Sequence, residues 1–231
     1  MSTTLRVLSF NVRSLRDDGD AVVAVIRAAR PHVVCIQEAP RFLRWRSRCA
    51  ALARRSGLVV ITGGRTAAGN LLLADLAVEV THHQDLLLSH RVRTHRRGAA
   101  VAVCSLAGHR FGLVGTHLDL YAEDRRGHAR ELLDALPAAG LGPDLPVVLG
   151  GDINETPGSP AWSILAAAFS DVAAALDADP QPTSTATDPR RRIDGIFADR
   201  RLVVRSVSVP GSDEVLRASD HRPVVAELDL D

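Results

Sequence analysis

Six short segments carry side chains suited to chemistry on a phosphate ester. They are Phe10-Asn11-Val12, Ile36-Gln37-Glu38, Gly115-Thr116-His117-Leu118, Gly150-Gly151-Asp152-Ile153-Asn154, Arg192-Ile193-Asp194 and Ser219-Asp220-His221-Arg222-Pro223. Cleaving such an ester takes a cation to neutralise the phosphate, an activated water, and donors for the charge that develops. Glu38 and Asp220 are carboxylates of the type a magnesium-like ion accepts, and Asn11 offers a neutral amide oxygen. Asp152 can draw a proton from water. Asn154, two residues on along an extended segment, points to the same side and can hold that water or a phosphate oxygen. His117 and His221 are candidates for charge stabilisation or general acid work.

Each residue alone also has a plainer explanation. A glutamate at a strand end is commonly a surface residue. Gly-Gly-Asp followed by Asn commonly marks a turn. Ser219-Asp220 is a loop cap by type, and a lone His117 reads as a hydrogen-bonded structural histidine. Only their joint occurrence in one chain argues for a site.

The elements that must position these groups are legible as patterns. Leu5–Val12 reads as a strand ending near Asn11. Asp20 is placed to cap a helix with Val22, Val25, Ile26 and Ala29 on one face, which Pro31 stops. The apolar run Val33–Ile36 reads as a buried strand that delivers Gln37-Glu38. Phe42, Trp45, Cys49 and Leu52 mark one face of a second helix closed by Gly57, the aromatics reading as core. Residues 58–61, 70–73 and 86–88 read as strands, and residues 98–106 and 110–117 as a hairpin turning at Ala107-Gly108-His109. A helix over 123–136, a strand at 147–149, a helix opened by Ser159-Pro160 through Ala168, and strands at 193–197, 202–209 and 223–228 complete the chain. Residues 177–192, rich in Pro, Thr, Asp and Arg, read as an exposed loop.

Strands mixed with helices predict an α/β (α+β) architecture in which two mixed or largely antiparallel sheets face each other with helices outside. No composition break divides the chain, so residues 1–231 read as one domain. The candidate residues fall at strand ends, where rigid elements aim side chains into a shared crevice.

The bulk composition narrows the class. Of 231 residues, 46% are apolar and 24% charged, enough for a sizeable core, and the net charge of +1 argues against a uniformly basic nucleic-acid-coating surface. Every one of the 28 basic residues is arginine, which fits codon bias in a high-GC genome and also fits a planar fork for phosphate. Arginines crowd at 41–48, 91–97 and 190–192, although a helix with alternating arginines is ordinarily a solvated face. Aromatics are 3% of residues, which gives little support to a base-stacking platform. Cys35, Cys49 and Cys104 have no disulfide or zinc spacing. With neither a signal peptide nor an 18-residue apolar stretch, the sequence reading expects a cytoplasmic protein without membrane insertion. Oligomeric state is not legible.

Taken in order, the six segments resemble the endonuclease/exonuclease/phosphatase (DNase I-like) superfamily from residue 5 to about residue 228. That resemblance implies a four-layer α/β sandwich and a divalent-metal-dependent phosphoester hydrolase, a phosphodiesterase with nucleic acid as one candidate substrate. By the same resemblance, Glu38, Asn11 and Asp220 would bind Mg²⁺ or Mn²⁺. Asp152 would orient or deprotonate water, Asn154 would hold the scissile phosphate, and His221 paired with Asp194 would stabilise the developing charge. His117 would face the leaving group, and Asn70, in Gly69-Asn70-Leu71-Leu72, would line the substrate cleft. Two departures stand out. Arg13 occupies a position where some nuclease members carry an acid, which bears on a second metal or on phosphate contact. Gly195 follows Asp194 where many relatives have Tyr, which would open the pocket or remove a stacking surface. A phosphomonoesterase and a catalytically silent binding module of the same fold are the competing functions.

Overall fold

The computed structural model describes residues 3–92, 95–177 and 181–230. The apolar residues of Leu5–Phe10 form β1 (Thr4–Asn11), which pairs in parallel with β2 (Val33–Gln37), Asn11 lying opposite Gln37. Parallel neighbours need a crossover, and α1 (Gly19–Ala29) supplies it. The cap of α1 is Asp18, whose carboxylate accepts the N–H groups of Asp20 and Ala21, so the helix starts ahead of the predicted Asp20. The second helix, α2 (Trp45–Ser56), begins after Phe42. Phe42 and Leu43 are therefore 68% and 87% exposed, and Phe42 is not the core residue that its spacing suggested. Strands β3 (Val59–Gly64) and β4 (Asn70–Ala74) follow.

The second sheet opens with β5 (Val78–Leu87), much longer than the predicted 86–88. Its Glu79-Val80-Thr81-His82-His83-Gln84 stretch is an exposed edge with no buried face to impose apolar alternation. The hairpin of β6 (Gly98–Leu106) and β7 (His109–His117) turns at Ala107-Gly108 as read from the sequence. Helix α3 (Ala122–Ala135) crosses to β8 (Val147–Asp152), parallel to β7. The chain continues through α4 (Pro160–Ala168), β9 (Ser170–Asp171), α5 (Val172–Ala175), β10 (Asp194–Ala198), β11 (Val203–Ser208), α6 (Asp213–Ala218) and β12 (Val224–Asp229). Helix α6, at six residues, is too short to carry a helical period.

The sheets run β11-β12-β1-β2-β4-β3 and β5-β6-β7-β8-β10-β9. Between them lies a core of Val7, Cys35, Leu72, Leu113, Val148 and Ile196. Helices α1, α2 and α6 cover the first sheet through Val22, Ile26, Leu52 and Val215, while α3 and α4 cover the second through Leu132, Trp162 and Leu165. The result is a four-layer α/β sandwich.

The Gly150-Gly151-Asp152 segment continues β8 and is not the turn that its composition alone also allowed. A Cβ at Gly150 would stand 3.0 Å from Cys35 Cβ and 3.1 Å from its Sγ, so a bare backbone lets the two sheets approach just behind Asp152. The loop before β10 is not simply exposed either. Residues 178–180 lie outside the described segments, but Thr183 and Ala186 are buried, and the Ala186 N–H donates to the Asp220 carbonyl. That loop therefore clasps the segment carrying Asp220 and His221.

Candidate active site

Strand register brings the candidate residues to one end of the sandwich. His117 lies opposite Asp152 across β7 and β8, and Asp194 lies opposite Asp152 across β10 and β8. From the other sheet, Asn11 and Glu38 arrive at the ends of β1 and β2. Ser219 Oγ donates to the Asn11 carbonyl at 2.7 Å, which docks the Asp220-His221 segment beside them.

Asp152, only 1% exposed, is the hub. Its Oδ1 accepts the Asn154 N–H at 2.9 Å, and its Oδ2 accepts Asn11 Nδ2 at 3.0 Å. The same Oδ2 lies 3.4 Å from His117 Nε2 and 3.9 Å from His221 Nε2. Burial raises the Asp152 pKa against the pull of the two imidazoles and of the Asn11 amide.

The two histidines differ in state. Burial drives His117 down to about 3, overriding the attraction of Asp152. Its Nε2 lies 2.9 Å from Asn154 Nδ2, an amide donor, which requires an unprotonated ring nitrogen there. At His221 burial pulls the same way, but the Asp194 carboxylate, 2.9 Å from Nδ1, together with Asp152 and Asp220, raises it to about 10. One imidazole is neutral and the other is a cation, on opposite flanks of one carboxylate.

Glu38 and Asp220 stand on the adjoining rim. Arg13 Nε is 3.4 Å from an Asp220 oxygen, its Nη1 donates to Asp17 at 3.1 Å, and Glu38 adds to the same field. The Ser14 N–H donates to the Glu38 carbonyl at 2.7 Å, fixing that turn against the end of β2. Asp220 pairs with the Arg13 guanidinium and Glu38 lies within its field, and carboxylate oxygens of this kind are the donor chemistry that Mg²⁺ or Mn²⁺ takes. The residues therefore fit a divalent ion. Asn11 is disposed differently from a ligand. Its Oδ1 accepts the Arg13 N–H at 3.0 Å while its Nδ2 faces Asp152 and Glu38, so it bridges those carboxylates by donating to them. A second cluster, Asp152, Asp194 and His221, has ligand atoms within 4.8 Å of one another. Within it His221 and Asp194 are hydrogen-bonded, whereas Asp152 stands 3.9 Å from His221 Nε2 and is held by Asn11 and the Asn154 N–H.

Asn70 departs from its predicted place. It is 0% exposed, and its Nδ2 donates to the carbonyls of Ala67 and Gly98 at 2.9 and 2.8 Å, tying two strand ends together beneath the cleft. The pocket, about 300 Å³, is lined instead by Glu38, Arg97, His117, Asp152, Asn154 and His221 among others. Arg97, 7% exposed, faces Asp119 with Nε 3.6 Å from Oδ2. The sequence reading placed Arg97 near the cleft without giving it a role, because it sits in an arginine-rich run, and it missed Asp119, which lies in a loop. The available signal was the place of Asp119, two residues after His117. Gly195 does not open the pocket: a Cβ there would meet the Trp162 ring at 2.8 Å, on the core side. Arg192, in the third arginine run, is also structural, ion-paired with Asp171 and stacked 4.6 Å from the Trp162 ring centre.

A four-layer sandwich with a buried carboxylate between a neutral and a charged imidazole, beside an acidic rim, defines a hydrolase-type active-site end. The sequence profile of the endonuclease/exonuclease/phosphatase family matches residues 8–221, and the chain belongs to that family. Membership supports phosphoester hydrolysis as the general activity. Among solved structures, an endonuclease/exonuclease/phosphatase from Bacteroides vulgatus is 22% identical with a TM-score of 0.82, covering 99% of this chain and 100% of the other. A mannosyl-6-phosphatase from Bacteroides thetaiotaomicron is 18% identical with a TM-score of 0.81, covering 97% and 99%. TDP2 from D. rerio, in complex with a single-strand DNA product, is 18% identical with a TM-score of 0.78, covering 98% and 99%. No curated sequence matches the chain.

Proposed function

We propose that this protein is a divalent-metal-dependent phosphodiesterase that works by in-line attack of water. The observation that carries the reading is the placement of Asp152 between neutral His117 and cationic His221 within one pocket. Glu38 and Asp220 would hold Mg²⁺ or Mn²⁺, which when bound neutralises phosphate charge. Asp152 accepts a proton from the attacking water, held in place by Asn11 and the Asn154 N–H. His221, kept protonated by Asp194, donates to the phosphate oxygens as charge grows. Asn154 and His117 face the opposite flank as phosphate and leaving-group contacts. The pocket is not closed around a terminal phosphate, since Arg41, Phe42, Ala68 and His95 also line a neighbouring cleft; that favours a diester over a monoester. We read the chain as one domain, because residues from both sheets share the central core. Its three free, buried cysteines suit the reducing cytoplasm.

The test is hydrolysis of bis(p-nitrophenyl) phosphate by the purified protein with Mg²⁺ or Mn²⁺, abolished by EDTA. Asp152→Asn and His221→Ala should each lose about 10²–10⁴-fold. Phosphate release from monoesters with diesters untouched would replace the diester reading. No turnover of any ester, with metal bound, would leave a binding module.

A further inference from the structure

The neighbouring cleft, about 890 Å³, is larger than the catalytic pocket and shares Arg41, Phe42, Ala68 and His95 with it. Its lining includes Arg41, Arg46, Arg65 and Arg96, and among the described residues none of those lining it is acidic. In a chain with nearly as many acids as arginines, that segregation is informative. Several guanidiniums elsewhere are matched, Arg6 with Glu227, Arg125 with Glu155 and Arg192 with Asp171 among them. Arg46, Arg65 and Arg96 are exposed and pair with no carboxylate among the described residues. Unpaired guanidinium forks are strong phosphate ligands.

The aromatic groups sit among these cations. Phe42, displaced from the helix it was expected to join, is exposed with the Arg41 guanidinium carbon 5.7 Å from its ring centre. Arg46 lies 4.4 Å over the Trp45 ring. Rings interleaved with guanidiniums present alternating surfaces for bases and for phosphates. A compact polyphosphate would use the cations and leave Phe42 idle, and a lipid chain would have no use for four guanidiniums.

We propose that this cleft is a strand-binding subsite: it holds phosphates and a base of a single-stranded nucleic acid whose scissile phosphate lies at Asp152. The proposal rests on the hydrolase reading only for the identity of that scissile group.

Binding is measurable without metal or turnover. A fluorescently labelled single-stranded DNA of about 12 nucleotides, titrated with the full chain in EDTA and followed by anisotropy, should bind with a salt-dependent affinity. Arg46→Ala, Arg65→Ala and Arg96→Ala should each flatten the slope of log affinity against log salt by about 0.7. The triple variant should weaken binding more than about tenfold, and Phe42→Ala by about tenfold. Arg27→Ala, at an exposed position of α1, is the charge control and should bind as the unmodified protein does. Wild-type affinity and slope in the triple variant would overturn the subsite. So would complete displacement of the strand by an equal charge of tripolyphosphate, which would mean a general anion site. Loss of bis(p-nitrophenyl) phosphate turnover in the unmodified protein would defeat the hydrolase reading but leave this binding result standing.

Discussion

The Asp194 carboxylate holds His221 by Nδ1 at 2.9 Å, leaving Nε2 aimed toward Asp152 at 3.9 Å. A buried imidazole would ordinarily lose its proton, yet this one is raised to about 10 because three carboxylates outweigh the burial penalty. The linkage has a definite sign. A folded-state pKa raised above the unfolded value gives stability that is fully present below about 6.5 and lost as pH rises through about 10. Thermal melts should therefore decline across that alkaline window. Asp194→Asn should flatten the decline and reduce turnover by about 10²-fold, because an uncharged imidazole is a weaker donor. A melt profile in Asp194→Asn that keeps the full decline would remove Asp194 as the cause.

Asn154 adopts a left-handed backbone, φ 58°, which aims its amide at His117 and the Leu118 carbonyl while its own N–H caps Asp152. Asn154→Ala removes the side-chain contacts but keeps the backbone N–H on Asp152. The expected result is a fall in kcat of about 10²-fold with KM raised less, since an interaction realised mainly in the transition state is lost. A pure KM effect would restrict Asn154 to ground-state binding.

His117 is neutral because it is buried, with its pKa near 3. It should not contribute an acidic limb above about pH 4 in kcat/KM. His117→Gln, which keeps an amide in hydrogen-bonding reach, should retain more activity than His117→Ala. Equal losses in the two variants would argue that ring volume, not hydrogen bonding, is what the site needs.

What the sequence made legible follows from where the physics is local. Strand ends with polar residues, the β6–β7 hairpin and the sandwich class could be read because alternation and turn chemistry act over a few residues. The exposed edge β5 could not, since its polar outer residues carry no period. Asn70 and Gly195 were misplaced for a different reason. Their position in the chain indicates proximity to the site, but which way each faces is decided by long-range neighbours: Gly98 for Asn70 and Trp162 for Gly195. The Arg97–Asp119 pair joins residues far apart in a run of similar arginines and needs the fold to single it out.

Gly195 supplies a packing test. The Trp162 ring occupies the space that a side chain would take, and its Nε1 donates to Asp171 at 3.1 Å, so the ring cannot swing away freely. Gly195→Ala should cost about 1–3 kcal/mol by overpacking. Denaturant unfolding would read it as a shifted midpoint at constant slope. Activity at temperatures well below the melt should hold, because the contact lies on the core side. A gain in cleft volume or a change in substrate range with unchanged stability would show that Gly195 faces the pocket after all.

Arg13 pairs with Asp220, the carboxylate proposed to hold the metal, and would compete with that ion. Asp220 and its partner Arg13 are both part-exposed, so the ion pair is weak and a divalent ion can displace it. Arg13→Ala should therefore tighten Mn²⁺ binding by roughly two- to fivefold, the scale of an exposed ion pair. Arg13→Asp adds a carboxylate to the rim beside Glu38 and Asp220 and should raise affinity further, with a second binding event visible by calorimetry. Turnover need not follow affinity, because Arg13 also places a positive charge at the rim that a substrate phosphate would approach. An increase in KM alongside tighter metal binding would assign it both roles. Unchanged Mn²⁺ affinity in both variants would place the metal away from Asp220 and overturn the assignment of that carboxylate.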